Sequence, residues 1–283
     1  MAAKSDPRRS GAFQQTGETA MTKDNDTNNE PVELIVFAGS GADLKAAEKL
    51  AEHLCVSMAR EESALERAAL VLCLDANGLA LSSGGQTLRG DFTRMLPRLR
   101  RGNLQSELLV RAAKIKGADG ALTAVDATAG LGEDALLLAA AGFSVRLYEY
   151  NPVIAALLRD ALRRAETVPE LADAVGRMQL FEADSLSALP QLPAPPDVIL
   201  LDPMFPARQK SALVKKKLQL LQQLERPCSD ETALVQVAIA ARPRKVIIKR
   251  PLKGPYLAGK KPDYSLTGKA IRVDCLVLPR VGE

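Results

Sequence analysis

Val125-Asp-Ala-Thr-Ala-Gly-Leu-Gly-Glu-Asp134 reads as a strand end, a glycine turn and a helix start in succession. The apolar stretch Leu122 to Val125 makes a short buried strand, and the Ala/Leu-rich run from Ala135 to Ala141 makes a helix. Between them Gly130 and Gly132 let the backbone come close to a ligand, toward which the free N–H groups of the helix start point. A strand, glycine turn and helix N-terminus form a nucleotide-type pocket. As a pattern, Gly130-Leu-Gly132-Glu-Asp-Ala135 fits GxGxxA, which several classes of nucleotide-cofactor enzyme share.

The charges around the glycines narrow the choice of ligand. Asp126 ends the strand, and Glu133 and Asp134 open the helix, where they also favour the helix dipole. A pyrophosphate here would face these carboxylates with like-charge repulsion. S-adenosylmethionine, with its ammonium and sulfonium, suits acidic surroundings better than NAD does. The next strand, Ser144 to Tyr148, ends at Glu149, 17 residues after Gly132, a spacing at which a carboxylate can accept from ribose hydroxyls in either cofactor.

Downstream the strand–helix alternation continues with a helix from Pro152 to Arg164 and a strand from Met178 to Glu182. Asp184-Ser185 then lies at the sheet edge where open α/β sheets bind ligands, either to meet an adenine amine or simply as a strand-end acid. A fourth strand, Asp197 to Leu201, delivers Asp202-Pro203-Met204-Phe205-Pro206 to that same edge. The two prolines fix an extended loop. Asp202 and the Pro203 carbonyl can accept from the two N–H bonds of an exocyclic amine, and Phe205 can stack on its base. An Asp-Pro-x-aromatic loop of this kind is a signature of methyltransferases acting on nitrogen.

Upstream, residues 1–31 are polar with almost nothing to bury and read as a disordered tail, inside which Met21 is a second candidate start. Residues 32–95 read as a small α/β element: strand Val32 to Ala38, helix Asp43 to Leu54 and strand Ala68 to Leu74. Residues 84–117, beginning Gly84-Gly85, read as a connector whose arginines, Arg94, Arg98, Arg100 and Arg101, form either an RNA-facing edge or a solvated helix face; a helical pattern runs from Leu104 to Ala113. Residues 96–283 form the main domain. His53, the only histidine, reads as structural, which excludes a His-based nucleophilic triad. Four dispersed cysteines imply buried thiols in a reducing compartment, with neither a metal site nor a disulfide framework. Without a membrane-length apolar run or a signal-peptide core, a cytoplasmic protein is expected.

Asp126-Ala-Thr-Ala-Gly-Leu-Gly132, Asn151-Pro-Val-Ile-Ala-Ala-Leu-Leu158, Leu201-Asp-Pro-Met-Phe-Pro206 and Gln209-Lys-Ser-Ala-Leu-Val-Lys-Lys216 together resemble one family. It is the bacterial small-subunit ribosomal RNA (guanine-N2)-methyltransferase J family. The resemblance implies methyl transfer from S-adenosylmethionine to the N2 of one guanosine near the 3′ end of small-subunit ribosomal RNA, free or in the assembled subunit. By matching position it places cofactor contacts on Glu133-Asp134, Glu149-Tyr150, Asp184-Ser185 and Asp202, beside Asp126, Gly130 and Gly132. The chain departs from the family pattern at Glu133 and Tyr150, where an arginine is usual.

Charge points independently to a nucleic-acid partner. Between Arg208 and Lys261 there are 14 Lys/Arg and 3 Asp/Glu, against a net charge of only +4 for the whole chain. Lys210, Lys215 and Lys216 follow the Asp202 loop, and Lys249 and Arg250 end a strand, Val246 to Ile248; with Arg100 and Arg101 these are the expected RNA contacts. The expected fold is a Rossmann-like S-adenosylmethionine-dependent methyltransferase, a mostly parallel sheet with helices on both faces. A NAD-dependent oxidoreductase would share the glycine turn and Glu149, and a non-catalytic RNA-binding module would share the basic half.

Overall fold

Two sheets and a helix buried between them account for most of the molecule. The computed structural model describes residues 33–65, 68–117, 120–203, 224 and 230–279. The expectations for residues 1–31, Phe205, Lys210, Lys215 and Lys216 lie outside the described residues. The first sheet comprises β1 (Leu34–Ala38), β2 (Ser57–Ala59), β3 (Leu70–Asp75), β4 (Gly78–Ser83) and β5 (Gln86–Leu88), in the order β2-β1-β3-β4-β5. Helix α1 (Leu44–Leu54) links β1 to β2; Asp43 caps it by accepting from the amides of Lys45 and Ala46.

Gly84 and Gly85 do not begin a connector. They form the two-residue turn of a hairpin in which Ser83 pairs with Gln86. Their φ values of 52° and 73° suit a tight hairpin turn that matches strand twist, and residues with a Cβ adopt these angles only under strain. The arginine-bearing stretch that follows makes three short helices: α2 (Leu96–Leu99), α3 (Arg101–Ser106) and α4 (Leu108–Ala113). The single helix expected from Leu104 is thus broken at Glu107, whose extended backbone separates α3 from α4.

The second sheet has seven strands in the order β11-β12-β10-β9-β6-β7-β8. Its strands are β6 (Leu122–Asp126), β7 (Phe143–Glu149), β8 (Met178–Glu182), β9 (Val198–Leu201), β10 (Lys245–Pro251), β11 (Tyr264–Thr267) and β12 (Ile271–Val277). Strands β6 to β10 run parallel, while β12 pairs antiparallel with β10 and β11. The remaining helices are α5 (Glu133–Ala140), α6 (Pro152–Ala165), α7 (Pro169–Val175), α8 (Ser185–Ala188) and α9 (Glu231–Ala240).

Both faces of this sheet are covered, so its central strands are apolar throughout. Ala124, Val198, Leu200 and Ile247 share one core cluster with α4, α5 and α7. Their neighbours Val125, Ile199, Leu201, Val246 and Ile248 point the other way, into a cluster with Leu234, Val235 and Ala238 of α9. Helix α6 serves both sheets. Leu158, Ala161 and Leu162 join the core of the seven-stranded sheet, while Val153, Ile154 and Leu157 join Leu72, Leu79 and Leu81 of the five-stranded one. That double burial explains a helix with apolar residues around most of its circumference.

Candidate active site

The order of the large sheet reverses between β6 and β9: the chain proceeds from β6 outward through β7 and β8, and from β9 outward through β10. Ligands of open α/β sheets bind at the carboxyl ends of the strands at such a switch point. Asp126 closes β6, Glu149 closes β7, Asp202 follows β9, and Lys249 lies near the end of β10, so four charged side chains converge on one edge.

The glycine turn has two different requirements. Gly130 and Gly132 have φ values of 53° and 75°. A Cβ at Gly132 would stand 2.7 Å from Leu158 Cδ1 and 3.3 Å from Phe92 Cζ, so a side chain there would have to displace the core as well as strain the backbone. A Cβ at Gly130 would meet nothing within 4 Å, which leaves the backbone bare toward open space. Glu149 holds this turn. Its Oε2 accepts from the Gly130 amide and its Oε1 from the Asn151 amide, both at 2.9 Å. With a third backbone hydrogen bond from Tyr150, the carboxylate accepts three amides and keeps room for one further donor, such as a ribose hydroxyl. Burial pushes the Glu149 carboxyl up to about 7, against the opposing pull of those amides. Asn151 in turn caps α6 and donates to the Leu224 carbonyl at 2.7 Å.

Thr128 ties the strand-end loops together. Its amide donates to Asp126 Oδ1 at 3.1 Å, and its hydroxyl accepts from the Asp202 amide at 2.7 Å. Asp126 is 1% exposed, and burial, with the nearby Asp134 charge adding to it, pushes its carboxyl up to about 8. Half-buried Asp202 is also raised, by desolvation first, with Lys249 opposing. Lys249 Nζ bridges Asp134 Oδ2 and Asp202 Oδ2, the latter at 2.7 Å, and its own proton affinity rises despite burial because of those two charges. Among the described residues no cluster of His, Cys, Asp or Glu is arranged to hold a metal.

Two of the expected RNA contacts are turned toward protein partners. Lys249 spends its charge inside the site on two carboxylates. Arg250 is 2% exposed, donates from Nε to the Pro255 carbonyl at 2.8 Å and faces Glu231. Neighbouring residues on a strand face opposite ways, and because both faces of this sheet are covered, both side chains are taken up by protein partners. Arg100 and Arg101 are exposed, whereas Arg98 makes a two-point ion pair with Glu107, at 2.7 and 2.9 Å. Of the remaining expected cofactor contacts, Glu133 and Tyr150 are exposed at the same edge. Asp184 caps α8 through the Leu186 amide, and Ser185 is buried. Buried Pro203 follows Asp202 directly. His53 joins Arg159 in pairing with Glu182 at the end of β8, consistent with a structural role. Cys55, expected to be buried, is exposed at the end of α1.

Comparison with known proteins shows the family of the chain. Residues 56–278 match a family model described as "Putative SAM-dependent methyltransferase". The chain is 45% identical over 243 residues to ribosomal RNA small subunit methyltransferase J of Alkalilimnicola ehrlichii, covering 81% of this chain and 89% of that one. It is 39% identical over 251 residues to the protein of the same name from Pectobacterium atrosepticum, covering 85% and 97%. The chain belongs to the ribosomal RNA small subunit methyltransferase J family. A solved SAM-dependent methyltransferase from Neisseria gonorrhoeae superposes with a TM-score of 0.67 at 27% identity, over 88% of this chain and 97% of that one.

Membership makes the protein a S-adenosylmethionine-dependent methyltransferase, and neither the oxidoreductase nor the non-catalytic reading is favoured. The site fits that cofactor physically. Buried Asp126 and Glu149 are costly as anions on their own, and a cationic ligand recovers that cost; the bare backbone at Gly130 gives it a close approach. Thr128, Asn151 and Lys249 were not singled out from sequence as members of this methyltransferase site. Thr128 had a signal, since it stands inside the glycine motif. Lys249 had none beyond lying on a strand next to β9.

Proposed function

We propose that this enzyme methylates the N2 amine of a guanosine near the 3′ end of small-subunit ribosomal RNA, in the cytoplasm. The relatives' shared name supports the RNA class, and the position of Asp202, tied through Thr128 to the cofactor edge, supports an exocyclic amine as acceptor. That juxtaposition of Asp126, Thr128 and Asp202 carries the reading. The cofactor would be held by Asp126, Gly130, Gly132, Glu133, Asp134, Glu149, Tyr150, Asp184 and Ser185. Bound there, S-adenosylmethionine supplies an electrophilic methyl group on a sulfonium.

The protein's own work is alignment and proton handling. The target base is recognised unpaired or flipped, because the N2 amine of a paired guanine lies in the minor groove and must be brought into a closed pocket. Asp202 and the Pro203 carbonyl accept from the two amine N–H bonds, which turns the nitrogen lone pair toward the methyl group, and Phe205 stacks on the base. Once the new N–C bond forms, the nitrogen is cationic and sheds a proton, for which the Asp202 carboxylate is the adjacent acceptor. Burial, by raising the proton affinity of Asp202, strengthens it in that role, while Lys249 keeps the carboxylate aimed.

The test is a transfer assay with labelled S-adenosylmethionine and small ribosomal subunits from a strain lacking the enzyme, followed by digestion to nucleosides. Label in N2-methylguanosine is expected. Label in any other nucleoside overturns the acceptor assignment.

A further inference from the structure

With Lys249 and Arg250 turned inward, the cations that meet RNA beside the site must come from elsewhere. We propose that the loop after β10, residues 252–261, is an RNA-docking surface, with Tyr256 the platform on which an unpaired base of the substrate stacks. This rests on the RNA-substrate reading above and adds a surface to it.

The loop stands at the right edge. Strand β10 is parallel to β9 and β6, so its end at Pro251 lies on the side of Asp126 and Asp202. Arg250 acts electrostatically on Asp202 and donates to the carbonyl of Pro255, the residue before Tyr256. One side chain therefore connects the site to the loop.

The loop is also held in shape. Arg272 Nη1 donates to the Gly254 carbonyl at 2.7 Å and the Leu252 carbonyl at 3.2 Å, and Nη2 donates to Pro255 at 3.3 Å. The guanidinium is fixed from below by buried Asp274, whose oxygens accept from Nε at 2.9 and 3.0 Å. It lies 4.9 Å from the centre of the Tyr256 ring. One face of the ring is thus backed by a fixed cation, while Leu257 is buried just beyond. An aromatic ring held in this way loses little freedom when a base stacks on it.

Finally, the surface has the composition that single-stranded RNA favours. Tyr256 is 42% exposed, and Leu252 and Ile271, where the loop meets β12, are also open to solvent. Lys253, Lys260 and Lys261 of the loop and Lys269 just before β12 are exposed as well. Exposed apolar groups and lysines on one loop supply a stacking platform together with phosphate contacts.

The experiment compares wild type, Tyr256→Ala and Tyr256→Phe in two assays: binding to the unmodified small-subunit RNA by filter retention, and steady-state transfer to unmodified small subunits. Tyr256→Ala is expected to weaken RNA binding and raise KM about tenfold, in line with stacking contributions measured by alanine substitution. Affinity for S-adenosylhomocysteine should not change, and Tyr256→Phe should behave as wild type. A Lys253→Ala/Lys260→Ala/Lys261→Ala variant should show a shallower salt dependence of RNA binding. Tyr256→Ala with wild-type RNA affinity and KM overturns the docking surface and leaves the reaction reading intact. A Tyr256-dependent affinity for RNA in an enzyme that labels no nucleoside keeps the surface and overturns the reaction. Equal loss in Tyr256→Phe and Tyr256→Ala overturns stacking, because the phenyl ring retains the platform.

Discussion

Asp160 and Asp126 are both buried carboxylates, 8% and 1% exposed, yet their surroundings are opposite. Asp160 on α6 is enclosed by donors. Arg164 Nε reaches its Oδ2 at 2.7 Å, Arg163 its Oδ1 at 3.0 Å, and the Leu79 amide of β4 its Oδ2 at 2.9 Å. Arg164 also donates to the Gly90 carbonyl, so this cluster fastens the five-stranded sheet onto α6. Asp126 accepts from the Thr128 amide and lies close to two further carboxylates, Asp134 and Asp202, with Lys249 bridging that pair. A buried charge matched by protein donors serves the fold. A buried charge left in excess serves a ligand that brings the matching charge.

The sharpest way to break this division is Asp202→Ala. Removing the amine-orienting carboxylate should lower single-turnover methyl transfer by about 10²–10⁴-fold, the usual contribution of a positioned proton acceptor. S-adenosylhomocysteine binding measured by calorimetry should remain close to wild type. Transfer within a fewfold of wild type would remove Asp202 from the chemistry. The counterpart is Asp160→Ala, which strands Arg164 and the Leu79 amide and should cost about 3 kcal/mol in urea unfolding. Asp126→Asn should do the reverse at pH 8.5: it removes an uncompensated anion while keeping an acceptor for Thr128, so the ligand-free protein melts higher but binds S-adenosylmethionine more weakly. If both variants merely destabilise, the contrast between the two carboxylates fails.

The same contrast predicts a pH dependence. Asp126 and Glu149 are raised from ordinary values of 3.8 and 4.5 to about 8 and about 7. Between those limits the folded chain holds more protons than the unfolded one, so their contribution to stability falls as pH rises from about 4 to 8. Binding a cation requires these carboxylates ionised. Affinity for S-adenosylmethionine should therefore rise by about 10²- to 10³-fold between pH 6 and pH 8, with proton release on binding. Calorimetry at pH 7 in buffers of different ionisation enthalpy measures that release directly, and a value of zero would contradict the raised carboxyls.

Legibility in the sequence followed the range of the interactions involved. The β6 to β9 alternation was plain because each strand is a short apolar run ended by a turn or an acid, and Asp126, Glu149 and Asp202 all stand at such ends. The β4–β5 hairpin was missed: Gly84-Gly85 was read as the start of a linker, although paired glycines between short strands also make a tight turn. The inward placement of Lys249 and Arg250 is hidden from the sequence for a different reason. Counting charge along the chain cannot tell an inward from an outward side chain on a covered strand, and only the partners Asp134, Asp202 and Glu231, from elsewhere in the chain, decide it.

Gly84 and Gly130 bring the comparison down to a single methyl group. Their φ values are 52° and 53°, and a Cβ at either would meet nothing within 4 Å. As far as the folded backbone is concerned the two positions are equivalent, so Gly84→Ala and Gly130→Ala should each cost about 1 kcal/mol from the left-handed conformation alone. They differ in what the open space is for. Beyond Gly84 there is solvent at a hairpin tip, whereas Gly130 is the residue whose amide Glu149 holds at the cofactor edge. Gly130→Ala should therefore weaken S-adenosylmethionine binding by more than its unfolding cost explains, and Gly84→Ala should leave binding unchanged. Because backbone strain is common to both, the difference in affinity between the two variants isolates the close approach of the ligand to Gly130; equal affinities would mean that the open space at Gly130 is not where the cofactor lies.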